Sequence, residues 1–239
     1  MASQEATPKP FDIAIVGGGI SGLTLAIALL EHSIRVTIYE SAKHFGEIGA
    51  GVSFGPNAAR AMALLSPKIY HAFTKCKTDN VWENQKQAFF TCRVGDERRA
   101  DKNGFVKPGK KVGDALFQVK FSEDDSDSGG VYRAHFLNEL VKSVPEGVAK
   151  FGKKVIEVRD TEDRSGDVVL RFRDGTSARH TAVVGCDGIK SQTRVFVLGE
   201  DVATRVRSVW VQSLIVLKLP AAAERRHFTL SRAIFFGKS

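Results

Sequence analysis

The stretch FDIAIVGGGISGLTLAIALLEHSIRVTIYE, from Phe11 to Glu40, constrains the fold more than any other part of the chain. Ile13 to Val16 is a continuous apolar run, the pattern of a strand buried on both faces in a parallel sheet. Gly17-Gly18-Gly19-Ile20-Ser21-Gly22 follows and fits G-x-G-x-x-G. Gly17 permits the tight turn out of the strand. Gly19 lets the backbone approach a pyrophosphate where a Cβ would collide, and Gly22 lets the next helix lie close to the strand. The spacing predicts a helix from about Ile20 to Glu31, whose N-terminal amides and dipole favour phosphate. A second strand is expected over 34–39, and Glu40 ends it, 18 positions after Gly22 (40 − 22). Its carboxylate can accept hydrogen bonds from ribose hydroxyls. That favours an unphosphorylated adenosine ribose, so FAD or NAD rather than NADP. A glycine-rich turn with no ligand would have no need of strand, glycines, helix, strand and acid in this order. Ser33 stands where such units often carry a turn glycine.

Composition narrows the surroundings of this unit. At 43% hydrophobic and 26% charged, the 239 residues suit a globular protein with a real core, of one large or two small domains. Cys76, Cys92 and Cys186 form no CxxC pair, which argues against a disulfide framework and a zinc site. They suit a reducing compartment, so a cytoplasmic location is expected. The polar opening MASQEATPKP reads as a loose tail rather than a signal peptide. No apolar run reaches the roughly 18–20 residues of a membrane span. The net charge of +8 is uneven: residues 201–239 hold seven Lys/Arg and two acids, leaving about +3 over the first 200. With no basic stripe interleaved with aromatics, nucleic acid is not expected as a partner. The six histidines show no ligand spacing, and His135 reads as a surface or packed residue.

Three later segments bear on which dinucleotide is held. His44 to Leu65, HFGEIGAGVSFGPNAARAMALL, opens with a loop carrying Gly46, Gly49, Gly51 and Gly55, able to pass close to a flat ligand. Pro56 then starts a helix at its first turn. Val131 to Pro145 reads as a helix with Arg133 at its start, where it would reach a phosphate or a ribityl chain; alone, it would pass for a surface arginine. Ala182 to Arg194, AVVGCDGIKSQTR, places Asp187-Gly188 at the end of an apolar strand, with Ser191 able to cap the next helix. Asp187 could bind a ribityl hydroxyl while Gly188 admits the backbone.

Together, Gly17, Gly19 and Gly22 with Glu40, the GAGV loop at 49–52 with Pro56-Asn57, Arg133, and Asp187-Gly188 with Arg194 resemble the FAD-dependent aromatic hydroxylases, the p-hydroxybenzoate and salicylate hydroxylase type, and especially their fungal members. The resemblance covers roughly residues 10–200. It implies an α/β fold: a Rossmann-like FAD-binding domain, with a parallel sheet, helices and a β-meander, plus part of a β-rich substrate domain. It implies NAD(P)H as co-substrate and O2 as oxidant. A flavin C4a-hydroperoxide would pass an OH to a small aromatic, phenolic substrate, of polyketide-derived type among others, as in secondary metabolite biosynthesis. Glu40 would bind the adenosine ribose, Arg133 would contact the FAD, and Asp187 would lie beside the ribityl and pyrophosphate. Gly51 and Gly188 would give the backbone close approach. No catalytic base is assigned. Another FAD-dependent oxidoreductase and a non-catalytic FAD-binding remnant remain open beside the monooxygenase.

The expected organisation is a Rossmann unit over 10–78, a substrate-domain β segment with a flexible acidic loop over 79–130, more FAD-binding domain over 131–200, and a divergent tail over 201–239. The acidic stretch Ser122 to Gly130 fails as a calcium loop, because glycine and closing glutamate fall at wrong positions. Residues 153–186 read as a three-strand meander whose last strand runs from the Asp174-Gly175 turn to Asp187. The family's second flavin motif, a Gly-Asp followed by an Ala or Ser, a histidine and a proline, has no match after Gly188; Gly113-Asp114-Ala115 lacks the histidine. From about Val202 the resemblance stops, so a truncated or alternatively spliced product is expected, with a divergent but genuine C-terminus as the alternative. A Rossmann core without its later strands should expose apolar faces and tend to form homodimers.

Overall fold

The computed structural model describes residues 12–46, 51–79, 82–83, 86–95, 109–120, 128–161, 167–200, 203, 211–218 and 234–237. The acidic stretch Ser122 to Gly130 lies mostly outside the described residues, as do the opening ten residues and much of the tail.

The fingerprint folds as its pattern requires. β1 (Asp12–Val16) leads through the glycines into α1 (Ile20–Glu31), and β2 (Arg35–Tyr39) returns parallel to β1 with Ile13 beside Val36 and Ile15 beside Ile38. Ser33 sits at φ 57, which an L-residue other than glycine adopts at a cost. β3 (Gly51–Phe54) precedes α2 (Pro56–Leu65) and α3 (Pro67–Cys76). Pro67 starts α3 and the Ser66 side chain caps it, accepting from the Lys68 N–H at 3.1 Å. β4 (Lys77–Thr78), β5 (Ala88–Arg93), β6 (Ala115–Lys120) and β7 (Gly129–Tyr132) follow, then α4 (Arg133–Val141) and β8 (Ala149–Lys150). β9 (Val155–Asp160), β10 (Val168–Phe172) and β11 (Ser177–His180) form an antiparallel meander. β12 (Ala182–Gly185) leads to a single 3-10 turn, Gly188–Lys190, and then α5 (Gln192–Leu198). β13 (Val211–Lys218) and β14 (Ile234–Gly237) lie in the tail.

The main sheet has the order β14-β13-β12-β1-β2-β8. β12, β1, β2 and β8 run parallel to one another, while β13 runs antiparallel to β12 and β14 antiparallel to β13. Successive side chains of a strand point to opposite faces, and the two faces have different covers. Ile13, Ile15, Val36, Ile38, Ala182 and Val184 join one core with the helices, including Leu23, Ile27, Phe73 and Phe136. Ala14, Val16, Tyr39 and Val183 join a second core with Val155, Val158, Val168, Leu170 and Phe172 of the meander. Double coverage is why β1 and β12 read as unbroken apolar runs.

Two expectations need correction. The chain from Gly175 to Asp187 is two strands, not one. It breaks at Thr181, whose hydroxyl accepts from the Asp12 N–H at 2.6 Å and donates to the Asp12 carbonyl at 2.7 Å, so β11 stays in the meander while β12 enters the main sheet. The glycine-rich loop after Phe45 becomes a strand at Gly51, because Gly51–Phe54 pairs antiparallel with β7. β13 pairs antiparallel with the outer edge of β12. β5 and β6 make a separate two-stranded ribbon, with Phe90, Phe117 and Val119 exposed.

Candidate dinucleotide-binding site

Ligands of open α/β sheets sit at the carboxyl ends of the parallel strands. Here the ends of β1, β2 and β12 converge. The Gly17 N–H donates to the Tyr39 carbonyl at 2.9 Å, and the Cys186 N–H donates to the Val16 carbonyl at 2.7 Å. Gly17 has φ +104, and a Cβ on it would stand 2.4 Å from the Cys186 carbonyl oxygen. A Cβ on Gly22 would stand 2.0 Å from the Gly17 oxygen. Gly17 turns the chain beside β12, and Gly22 seats the helix first on the turn itself, with the strand residue Ile15 next, 3.4 Å from where a Cβ would be.

Gly19 is the N-cap of α1, with φ −75 and ψ −174, and no side chain caps it. Its freedom is thus not a matter of unusual backbone angles. The first N–H groups of a helix lack intrahelical partners, so an uncapped N-terminus facing the crevice is suited to an anion.

Glu40 is placed by the end of β2. Its Oε2 accepts the Gly18 N–H at 2.6 Å, and its Oε1 accepts the Ala42 N–H at 2.7 Å and the Ser41 hydroxyl at 3.1 Å. A carboxylate has about four acceptor positions. Three are used, and one on Oε2 remains. Phe45 was not legible as a site residue: its ring lies 2.7 Å from where a Gly18 Cβ would be and stacks edge-on against Phe151, centroids 4.8 Å apart.

Asp187 joins the same cluster with its own internal partners. Its Oδ2 accepts the Gln192 and Thr193 N–H groups at 2.7 and 3.2 Å, and its Oδ1 accepts the Thr193 hydroxyl at 2.6 Å. It thus holds the start of α5, with one acceptor position left on Oδ1. Ser191 caps that helix as its position suggested, accepting the Arg194 N–H at 2.9 Å. Arg194 is fully buried and donates from Nη2 to the Ile189 carbonyl at 2.6 Å, which pins the turn carrying Gly188. Gly188 has φ +72 with open space where a Cβ would be. Burial first, and the Asp187 carboxylate second, push the Cys186 thiol up to about 12, so it is no thiolate nucleophile.

Gly51 and Arg133 form a second group. Gly51 pairs with Tyr132 across β3 and β7, and Arg133 is the next residue, half-buried at the start of α4. Gly51 is exposed, and a Cβ there would meet no atom within 4 Å. Among the described residues, no group of three or more His, Cys, Asp or Glu is placed to hold a metal ion, and no helix is long and apolar enough to cross a membrane.

Residues 15–75 match the model of an NAD(P)-binding Rossmann-like domain. An FAD-dependent monooxygenase of Monascus ruber is 41% identical over 191 residues, covering 80% of this chain and 40% of that protein. The 6-methylsalicylate 1-monooxygenase of Aspergillus terreus is 42% identical over 191 residues, covering 79% of this chain and 40% of that protein. A solved salicylate hydroxylase substrate complex superposes with a TM-score of 0.54 at 26% identity, covering 77% of this chain and 38% of that one. The chain therefore spans about 40% of the length of the curated relatives it matches.

Proposed function

From a chain whose matched residues belong to the FAD-dependent monooxygenase family, we propose that it forms the adenosine- and pyrophosphate-holding part of an NAD(P)H-dependent hydroxylase acting on a small phenolic ring. The supporting observation is the placement of Glu40, with one oxygen on the Gly18 N–H at 2.6 Å and an acceptor position left over, beside the uncapped start of α1. A ribose diol and a diphosphate are the groups such a pair accommodates.

The residues fit FAD in a definite way. Gly17 and Gly22 keep the turn close to β12 and the helix close to the turn, where a Cβ would strike protein backbone. The α1 N-terminus would take the pyrophosphate, Glu40 a hydroxyl of the adenosine ribose, and Asp187 a hydroxyl through its remaining Oδ1 position. Arg133 would act as a cation towards a phosphate. Bound FAD would supply the redox chemistry, with the balance substrate-H + NAD(P)H + H⁺ + O2 giving substrate-OH + NAD(P)⁺ + water. The protein's own contribution is to bind, to orient and to exclude water.

The test is reconstitution with FAD, desalting, and visible absorbance of the retained flavin, followed by NAD(P)H oxidation with simple phenols and analysis for hydroxylated product. Retained flavin with phenol-stimulated, product-forming oxidation is expected of a hydroxylase. Retained flavin that oxidises NAD(P)H without oxygenated product would make it another flavin-dependent oxidoreductase, and retained flavin with no NAD(P)H oxidation a non-catalytic FAD-binding remnant. A chain that retains no flavin would refute the assignment of the site.

A further inference from the structure

Asp12, His180 and Tyr39 come from the start of β1, the end of β11 and the end of β2, and they meet on the meander side of the main sheet. His180 Nδ1 lies 2.7 Å from Asp12 Oδ2, and His180 Nε2 lies 2.8 Å from the Tyr39 hydroxyl. Tyr39 is 7% exposed and His180 6%. A carboxylate only accepts, so Nδ1 donates to Asp12, while Nε2 and the Tyr39 hydroxyl share a hydrogen bond whose donor follows the ring's tautomer. Burial pushes the Asp12 carboxyl up, but His180 and the Thr181 hydrogen bonds outweigh it and hold it below its ordinary value, in keeping with that ionised form.

What distinguishes this network from an ordinary core contact is where it ends. The Tyr39 carbonyl accepts the Gly17 N–H at 2.9 Å, and the next residue, Glu40, accepts the Gly18 N–H at 2.6 Å. The Tyr39 ring also stacks on Phe172 of β10, centroids 4.7 Å apart. One side chain therefore fixes the carboxyl end of β2 from behind, while its backbone and its neighbour hold the phosphate-binding turn from the front. We propose that Asp12, His180 and Tyr39 form a positioning network that holds Glu40 and the Gly17-Gly18 turn in register for a dinucleotide. Tyr39 and His180 are positioning residues here, acting through Glu40. The inference rests on the dinucleotide reading for its purpose, but not for its physical effect.

The test uses the whole chain with Tyr39→Phe and His180→Gln. Amide hydrogen exchange in the absence of any ligand is measured first. The network predicts faster exchange at Gly17 and Gly18 by roughly threefold to tenfold, the equivalent of one net hydrogen bond, with the interior of α1 and the meander strands unchanged. FAD affinity is then measured for Tyr39→Phe, Glu40→Gln and the double variant. Tyr39→Phe should weaken binding by a similar factor, and the double variant should bind no more weakly than Glu40→Gln alone. Unchanged exchange at Gly17 and Gly18 would overturn the proposal. So would faster exchange across the whole meander with a lowered melting temperature, which marks a merely structural contact, or fully multiplicative losses in the double variant. If local exchange responds while the parent chain binds no FAD, the dinucleotide reading fails, and with it the purpose assigned to the network.

Discussion

Replacing Gly22 with alanine separates stability from ligand binding. The added Cβ would sit 2.0 Å from the Gly17 oxygen and 3.1 Å from its carbonyl carbon. Ordinary contact begins at 3.4 Å, so turn and helix must part by 1.4 Å (3.4 − 2.0). Alanine is the better helix former by about 1 kcal/mol. Overpacking a close contact costs about 1–3 kcal/mol. The net destabilisation is then about 0–2 kcal/mol, small beside a typical stability of about 5–15 kcal/mol. The fold should survive. The amides at the start of α1 are less tolerant, because a 1.4 Å displacement takes a hydrogen bond of about 2.9 Å out of range. Two charge-assisted bonds at about 1.5–3 kcal/mol each amount to about 3–6 kcal/mol, a factor of about 10² to 10⁴ in FAD affinity. Quenching of flavin fluorescence measures the affinity, and thermal melting of the same samples measures the fold. Gly95→Ala is the control: a Cβ there meets no atom within 4 Å at a position outside the site, and affinity and melting should stay as in the parent chain. A folded Gly22→Ala chain that binds FAD within about threefold of the parent (under about 1 kcal/mol) would refute the argument that the close approach serves the ligand.

Further outcomes follow from single residues. Ser33→Gly should raise stability by about 0.5–1 kcal/mol, because φ 57 costs serine more than glycine; an unchanged or lower melting temperature would contradict this. Asp187→Ala removes three acceptor contacts from the start of α5 and should cost about 1–2 kcal/mol, like the loss of a helix cap, read as a lowered urea midpoint. Asp12 has a folded-state carboxyl held below its ordinary 3.8, so its stabilisation is present above that value and is lost as pH falls through the lower folded value. The melting-temperature gap between the parent chain and Asp12→Asn should therefore be widest near neutral pH and shrink in acid, and a gap that widens in acid would reverse the assignment.

Much of the dinucleotide unit was legible because its parts are local. The helix over Ile20–Glu31 and the helix starting at Pro56 lie where spacing put them, and Ser191 caps α5 through its own backbone neighbour. Signals depending on distant pairing were not legible. The two-residue β8 carries no periodicity, yet it extends the main sheet beside β2. The break at Thr181 depends on Asp12, 169 positions away. α3 had a readable signal in Ser66-Pro67 followed by Ile69, Ala72 and Phe73, all buried on one face. Tyr39 and His180 lie 141 positions apart, and neither is marked in the chain as part of a network. Asp187 was read as a ligand residue, while most of its acceptor capacity serves α5, which only coordinates reveal.

The central claim is that the Gly17–Gly22 turn and Glu40 hold the adenosine end of an unphosphorylated dinucleotide, FAD. Its most direct measurement is titration calorimetry of the whole chain with FAD and, separately, with NADP⁺. The account predicts one saturable FAD site that is weakened by Glu40→Gln, with NADP⁺ binding more weakly because its 2′-phosphate meets the Glu40 carboxylate. An absence of FAD binding, or NADP⁺ binding as tightly as FAD, would contradict it.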